Sequence, residues 1–315
     1  MNDGLLLLDK KTGLTSFDSL KTVKKAFATG KAGHTGTLDK FASGLLLVLL
    51  GKGVKLAPLF LDCTKEYLGT IRFGEETETL DPEGEVVYTA QLPLREDVEA
   101  VLDGFRGDIL QAPPEYSAVH VNGKRAHELS RQGKPPEMKK RPVTIFSLEL
   151  LSWEPPEAVI QVHCSAGTYI RSLARDIALA AGSRASLSAL KRISVGNFRL
   201  QDSVEDTGPE SLQKALRPLD KRFFDDLSLP HFSIDQRATE GFIHGRPLEA
   251  LLSQGEFFPP PGSSGSLAGH VPSGGFAGVF RKHSTQGIDS PREELLGLVE
   301  FIEGRWKYSH VFAGN

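Results

Sequence analysis

The chain has 315 residues but only two cysteines, Cys63 and Cys164, and no C-x-x-C pair. That excludes a disulfide framework and the usual cysteine zinc sites, and both thiols are expected to be buried and reduced. Long apolar runs are missing as well. The longest, LLLVLL at residues 45–50, falls far short of the roughly 20 residues that a membrane-spanning helix needs. The opening MNDGLLLLDKK carries no basic stretch ahead of its apolar run, which argues against a secretory signal. A cytoplasmic protein without membrane attachment is the expectation. No G-x-G-x-x-G, G-x-S-x-G or H-E-x-x-H occurs, and the nine histidines are scattered. GLLLVLLGKG has six residues between Gly44 and Gly51 and a glycine after Lys52, so it fails the phosphate-loop pattern. Dinucleotide, serine-hydrolase and zinc-protease chemistries therefore have no support in the sequence.

Charge is present but unevenly placed. The net charge is −3. Residues 1–60 carry nine Lys/Arg against four Asp/Glu, residues 121–145 seven against two, and residues 163–199 six against one. Residues 75–108 hold eleven acids against two arginines. Three basic segments around an acidic one suit a positive face for a phosphate backbone, and suit equally the solvated faces of helices and loops.

The hydrophobic pattern alternates between strand and helix. GLLLLDK reads as a buried strand. Thr15 and Asp18 form a capping-box pattern ahead of a helix with Phe17, Leu20, Val23 and Phe27 as its apolar stripe. In TKEYLGTIRFG, Tyr67, Gly69, Ile71 and Phe73 share one strand face. Val98, Val101, Leu102 and Phe105 mark a helix, and AVIQVHCSA a strand. GTYIRSLARDIALAAG reads as a helix with Ile170, Leu173, Ile177 and Ala178 facing a core, Gly182 closing it, and Arg171 in the first turn off that stripe.

Residues 111–142, rich in proline, glycine and base, read as an extended insertion with a short helix near residues 125–131. A composition shift at DDLSLPHFS sets an expected domain boundary, giving 1–228 and 229–315. The second part is expected to be a small β domain with a flexible loop at about 255–276. There is no internal repeat.

The segment GKAGHTGTLDKFASG, residues 30–44, places one histidine and one aspartate among four glycines and three hydroxyl residues. Such a loop suits close approach of another molecule to the backbone. Asp39 has two readings: cap of a helix beginning at TLDKFASG, a role Thr37 could share, or a reactive carboxylate kept ionised by a guanidinium. The candidate partners are His34, Tyr67 and Arg171.

These stretches, taken in order, resemble the bacterial tRNA pseudouridine synthases of the TruB type. LLLLDKKTGLTSFDSLKTVKKAF resembles that family's opening motif, GHTGTLDKFASGLLLVLLGKGVKL its catalytic loop, and KEYLGTIRFGEETETLDPEGEV its tyrosine-bearing strand. QAPPEYSAVHVNGKRAHELSRQG resembles its RNA-clamping insertion, and CSAGTYIRSLARDIA with LSALKRISVGNF the motifs that close the pocket. The likeness runs from residue 4 to about 205. It implies an α+β fold with a mainly antiparallel mixed sheet flanked by helices, plus a degenerate PUA-like β domain. It also implies isomerisation of uridine 55 in the tRNA T-loop to pseudouridine, without cofactor or metal. By the same resemblance Asp39 is the catalytic aspartate, Tyr67 stacks on the flipped uracil and Arg171 pairs with Asp39. His34, Tyr169, Leu190 and Lys10 bind substrate.

The implied partner is the T-arm of tRNA, with no guide RNA, and the implied state a monomer. Binding and refolding of tRNA, with catalysis secondary, is the alternative. Lys11 and Lys40 stand where the family commonly has proline, which leaves open how the two loops are kept rigid.

Overall fold

The computed structural model describes residues 3–121, 123–261, 275–282 and 294–312. In chain order the strands are β1 Gly4–Lys10, β2 Ala32–His34, β3 Ser43–Leu50, β4 Lys65–Phe73, β5 Glu75–Thr77, β6 Val86–Thr89, β7 Gly107–Gln111, β8 His120–Val121, β9 Lys124–Arg125 and β10 Arg141–Glu154. They continue with β11 Glu157–Cys164, β12 Ala185–Val195, β13 Phe198–Arg199, β14 Val204–Glu205, β15 His231–Ile234, β16 Glu256–Phe258, β17 Gly275–Arg281, β18 Glu294–Ile302 and β19 Arg305–Val311. The α-helices are α1 Ser16–Ala26, α2 Arg95–Leu102, α3 Ala126–Arg131, α4 Ile170–Ala180, α5 Pro209–Lys214, α6 Lys221–Asp226, α7 Gln236–Ile243 and α8 Leu248–Leu252.

One large sheet runs β14-β1-β3-β12-β4-β11-β10-β7, with β2 on β3 and β13 on β12. Only β1/β14 and β3/β12 pair in parallel within it, so the expected α+β class with a mainly antiparallel mixed sheet is what is found. Side chains alternate across a strand, and β1 and β3 bury both faces. Leu5, Leu7, Leu45, Leu47 and Leu49 enter one apolar core, while Leu6, Leu8, Leu46, Val48 and Leu50 enter another beneath α1. Hence the continuous leucine runs. A third core joins β4, β11 and β12 to α2 and α4.

The capping box forms as expected: the Thr15 hydroxyl accepts from the Asp18 amide at 3.0 Å, and α1 follows. Phe17 does not join the stripe. It is 61% exposed, because the buried face of α1 is set by Leu20, Val23 and Ala26.

A second, five-stranded sheet runs β16-β15-β17-β18-β19. It forms the expected small β domain, together with α7 and α8, which that expectation lacked. Glu256–Phe258, assigned from composition to a loop, is a strand because Phe258 and Phe257 pair with His231 and Phe232. The Gly/Pro/Ser-rich residues 262–274 lie outside the described residues. The two sheets share an apolar core through Phe223 and Phe224 of α6. Phe224 meets Phe223 and Phe280 edge-on, at ring centroids of 5.3 and 5.4 Å, and a Cβ on Gly278 would come within 2.7 Å of its ring. Phe224→Ala should therefore cost about 3–5 kcal/mol, read as a fall in the denaturation midpoint. A loss below about 1 kcal/mol would show that this core does not hold the sheets together.

Candidate active site

Asp39 lies between β2 and β3 in a loop, and no helix starts there. The cap reading of Asp39 and Thr37 is thereby corrected. The backbone turns at Gly44, φ +98°, and enters β3, where a side chain at residue 44 would collide with the Arg192 carbonyl at 2.4 Å. Four neighbours shape the loop. The Ser16 hydroxyl accepts from the Leu38 amide at 2.9 Å and donates to the Leu38 carbonyl at 3.0 Å. The Gly13 amide donates to the Lys40 carbonyl at 2.8 Å. Lys10, fully buried, donates from Nζ to the carbonyls of Ala42 and Leu14 at 2.6 Å each and of Lys11 at 3.1 Å. Arg192 donates from Nε to the Leu45 carbonyl at 2.8 Å and from an Nη to that of Gly36 at 3.1 Å.

Arg171 reaches Asp39 from the first turn of α4, which its buried face of Ile170, Leu173, Ile177 and Ala178 seats against the sheet. Arg171 Nε stands 3.1 Å from Asp39 Oδ2, with side-chain exposures of 7% and 40%. One Nη donates to Asp81 Oδ2 at 2.9 Å and to the Thr79 carbonyl at 2.8 Å, and the other to the Tyr116 carbonyl at 3.1 Å. The guanidinium is thus engaged on every nitrogen.

Burial raises the Asp39 carboxyl above its usual 3.8; Arg171 opposes that, the nearby Asp81 carboxylate adds to it, and Lys10 opposes it again. Burial lowers Lys10 to about 8, against the pull of Asp39 and with the push of Arg192.

Tyr67 lies half-buried on β4, packed against the core of α4, and is the cross-strand partner of Arg192 on β12. Burial raises its phenol, and Arg192 at the hydroxyl opposes the shift. Leu190 is buried one step along β12, opposite Gly69. Tyr169 precedes α4, its amide donating to Gln111 Oε1 at 2.8 Å and its carbonyl accepting from Gln111 Nε2 at 3.1 Å. It lines a cavity of about 110 Å³ between the two roots of the insertion, Gln111 and Arg141. His34, on β2, sits in the field of Arg192 rather than of Asp39, and burial followed by that charge lowers its pKa. Among the described residues its buried Nδ1 has no hydrogen-bond partner.

The structure therefore brings Arg171, Lys10 and Tyr67 each within electrostatic reach of Asp39 and leaves His34 to one side. Sequence reasoning did not single out Asp81, Gln111 or Arg192. A signal for Asp81 was present in TLDPEG, an aspartate-proline-glycine turn. In that turn Thr79 donates to Asp81 Oδ1 at 2.6 Å and the Glu83 amide donates to it at 3.0 Å.

Residues 24–170 match the family described as TruB family pseudouridylate synthase, N-terminal domain. A protein named tRNA pseudouridine synthase B from Borreliella burgdorferi is 48% identical over 218 residues, covering 68% of this chain and 76% of that one. One of the same name from Clostridium kluyveri is 42% identical over 257 residues, covering 80% and 88%. Among solved structures, the fold is similar to a chain in a crystal structure of a Cbf5-Nop10-Gar1 complex, with a TM-score of 0.69 and 24% identity over 98% of this chain and 85% of that one.

The raised carboxyl predicts a pH signature. A folded-state pKa above the unfolded value gives stability that is complete below the unfolded pKa near 3.8 and is lost as pH rises through the folded value. Asp39→Asn removes that charge, so the variant should be the more stable at neutral pH, with the difference closing in acid. Denaturation midpoints measured across pH check this, and a variant less stable than the parent at neutral pH would contradict it.

Proposed function

Since the chain belongs to the TruB family of pseudouridylate synthases and is an enzyme that isomerises uridine in tRNA to pseudouridine, we propose that its target is uridine 55 of the T-loop and that Asp39 is the reacting carboxylate. The observation that carries this reading is the Arg171–Asp39 pair at 3.1 Å, buried on the arginine side and open on the aspartate side. The reaction breaks the bond from C1′ to N1, turns the base, joins C1′ to C5, releases the C5 proton to solvent and leaves N1 to take up a proton in exchange. An ionised oxygen held at a fixed place can begin it by attack at C1′, by attack at C6 or by proton abstraction from the sugar. Arg171 and Lys10 favour the ionised form against the cost of burial.

The base must leave its stack at a cost of a few kcal/mol, and an aromatic platform returns roughly 1–3 kcal/mol. Tyr67 is that platform, Leu190 packs against the base, and Tyr169 lines the pocket. His34, which burial and the charge of Arg192 bias toward its neutral form, helps hold the target loop open. Lys10 acts through charge and loop shape, since its ammonium donors are taken by three carbonyls.

The insertion supplies the RNA grip. Lys124, Arg125, Arg131, Lys134, Lys139, Lys140 and Arg141 are all exposed on it. This grip stands in for a guide RNA, and the enzyme acts alone as a monomer in the cytoplasm. Residues 1–228 form the catalytic part, and the PUA-like residues 229–315 add RNA contact. Among the described residues no helix is long and apolar enough to cross a membrane, and no cluster of three or more His, Cys, Asp or Glu could hold a metal.

A tRNA transcript tritiated at uracil C5 should release one label per molecule. Asp39→Ala, or a transcript with cytidine at position 55, should release none above background. Release by Asp39→Ala at the parent rate would sink the assignment.

Phosphate contacts should dominate binding. Four of them would weaken affinity about 100-fold between 50 and 200 mM salt, and changing Lys139, Lys140 and Arg141 to Glu should flatten the slope. A salt-independent Kd for the parent protein would rule out the basic grip.

A further inference from the structure

A second buried arginine stands beside the first and has a different surrounding. Arg171 is matched by two carboxylates. Arg192 is only 2% exposed, and among the described residues no carboxylate lies within ion-pair distance of it. Its guanidinium donates to two backbone carbonyls, those of Leu45 and Gly36. An unpaired buried charge is expensive, and replacement by an apolar side chain is often neutral or stabilising. The carbonyls it bonds are what offset that cost here.

The places it touches are specific. The carbonyl of Gly36 lies three residues before Asp39 and that of Leu45 six residues after, so one guanidinium ties both legs of the loop to β12. The backbone of Arg192 pairs with Gly44 in parallel register and occupies the space that a Cβ there would need. On β4, its cross-strand partner is Tyr67, whose hydroxyl its guanidinium reaches. Opposed side chains on paired strands stand about 4.5–5.5 Å apart at Cβ, so the position of Tyr67 is coupled to the same group that closes the loop.

We propose that Arg192 is a positioning residue of the reaction: it closes both legs of the Asp39 loop and anchors the Tyr67 hydroxyl, so that carboxylate and stacking ring keep one spacing. This rests on the assignment of Asp39 and Tyr67 made above. Arg171 sets the charge and direction of the carboxylate, whereas Arg192 sets where the loop carrying it stands relative to the ring.

The test is single-turnover tritium release at saturating tRNA, with Kd for tRNA measured separately. Arg192→Lys keeps the charge but cannot fork to two carbonyls and a hydroxyl. A displacement near 1 Å costs on the order of 100-fold. The rate constant should therefore fall by about 10–100-fold, while the amplitude stays complete and Kd moves by less than about threefold.

A merely structural role would lower the amplitude or the unfolding temperature and leave the rate constant of the folded fraction at the parent value, and that result overturns the proposal. So does a raised Kd with an unchanged rate, which would make Arg192 a direct RNA contact. Should Arg192→Lys fail to fold, Gly36→Val keeps the arginine and presses branched methyls toward its Nη, since a Cβ at residue 36 stands 3.5 Å from that atom. It should slow the rate at full amplitude, and a parent-like rate overturns the proposal equally. A parent protein that releases no label would instead remove the assignment of function on which the proposal rests.

Discussion

The site depends on one guanidinium holding two carboxylates at once. A cation in the first turn of a helix meets the positive end of the helix dipole, and a guanidinium this deeply buried loses most of its hydration. Arg171 accepts both costs because Asp39 and Asp81 lie at the same end of α4 and because its remaining donors meet the carbonyls of Thr79 and Tyr116. Three segments distant in sequence, the Asp39 loop, the 77–83 turn and the insertion, thereby converge on one side chain. Asp81 is the fully held partner, at 5% exposure. Asp39 is the partner left open, at 40% exposure.

Lys11 and Lys40 raised the question of how loops lacking their usual prolines stay rigid. Proline fixes φ and removes a donor, and here hydrogen bonds between the two loops do the equivalent work. Gly13 donates to the carbonyl of Lys40 itself, Ser16 bridges both polar groups of Leu38, and Lys10 gathers carbonyls from both loops. The side chains of Lys11 and Lys40 are left on the surface, beside Glu205 and Glu83. A buried ammonium thereby ties the two loops together through their carbonyls.

Much of this fold was legible where a period repeats. The stripe of α4, the alternation of β4 and the capping box of α1 are local patterns, and each formed where expected. The reading of Asp39 as a cap failed because caps and tight loops favour the same residue types, and only the pairing of Ser43 and Gly44 with β12 decides between them. Phe17 fell off its stripe because the direction of a helix's buried face is fixed by what it packs on. Arg192 was invisible because its partners are carbonyls 147 and 156 positions away, a distance at which side-chain types carry no information.

Burial also corrects what segment charge implied. Three basic stretches suggested one positive face, yet Lys10, Arg171 and Arg192, one or two from the first and third stretches, lie inside the protein. Their charges act on Asp39, Tyr67 and His34 rather than on a phosphate backbone. The insertion is different, for all of its cations are exposed. The acidic stretch, for its part, contributes Asp81 to the interior of the site. The net charge of −3 hides that division: cations on the insertion face solvent, while Lys10, Arg171 and Arg192 are buried around Asp39 and its loop.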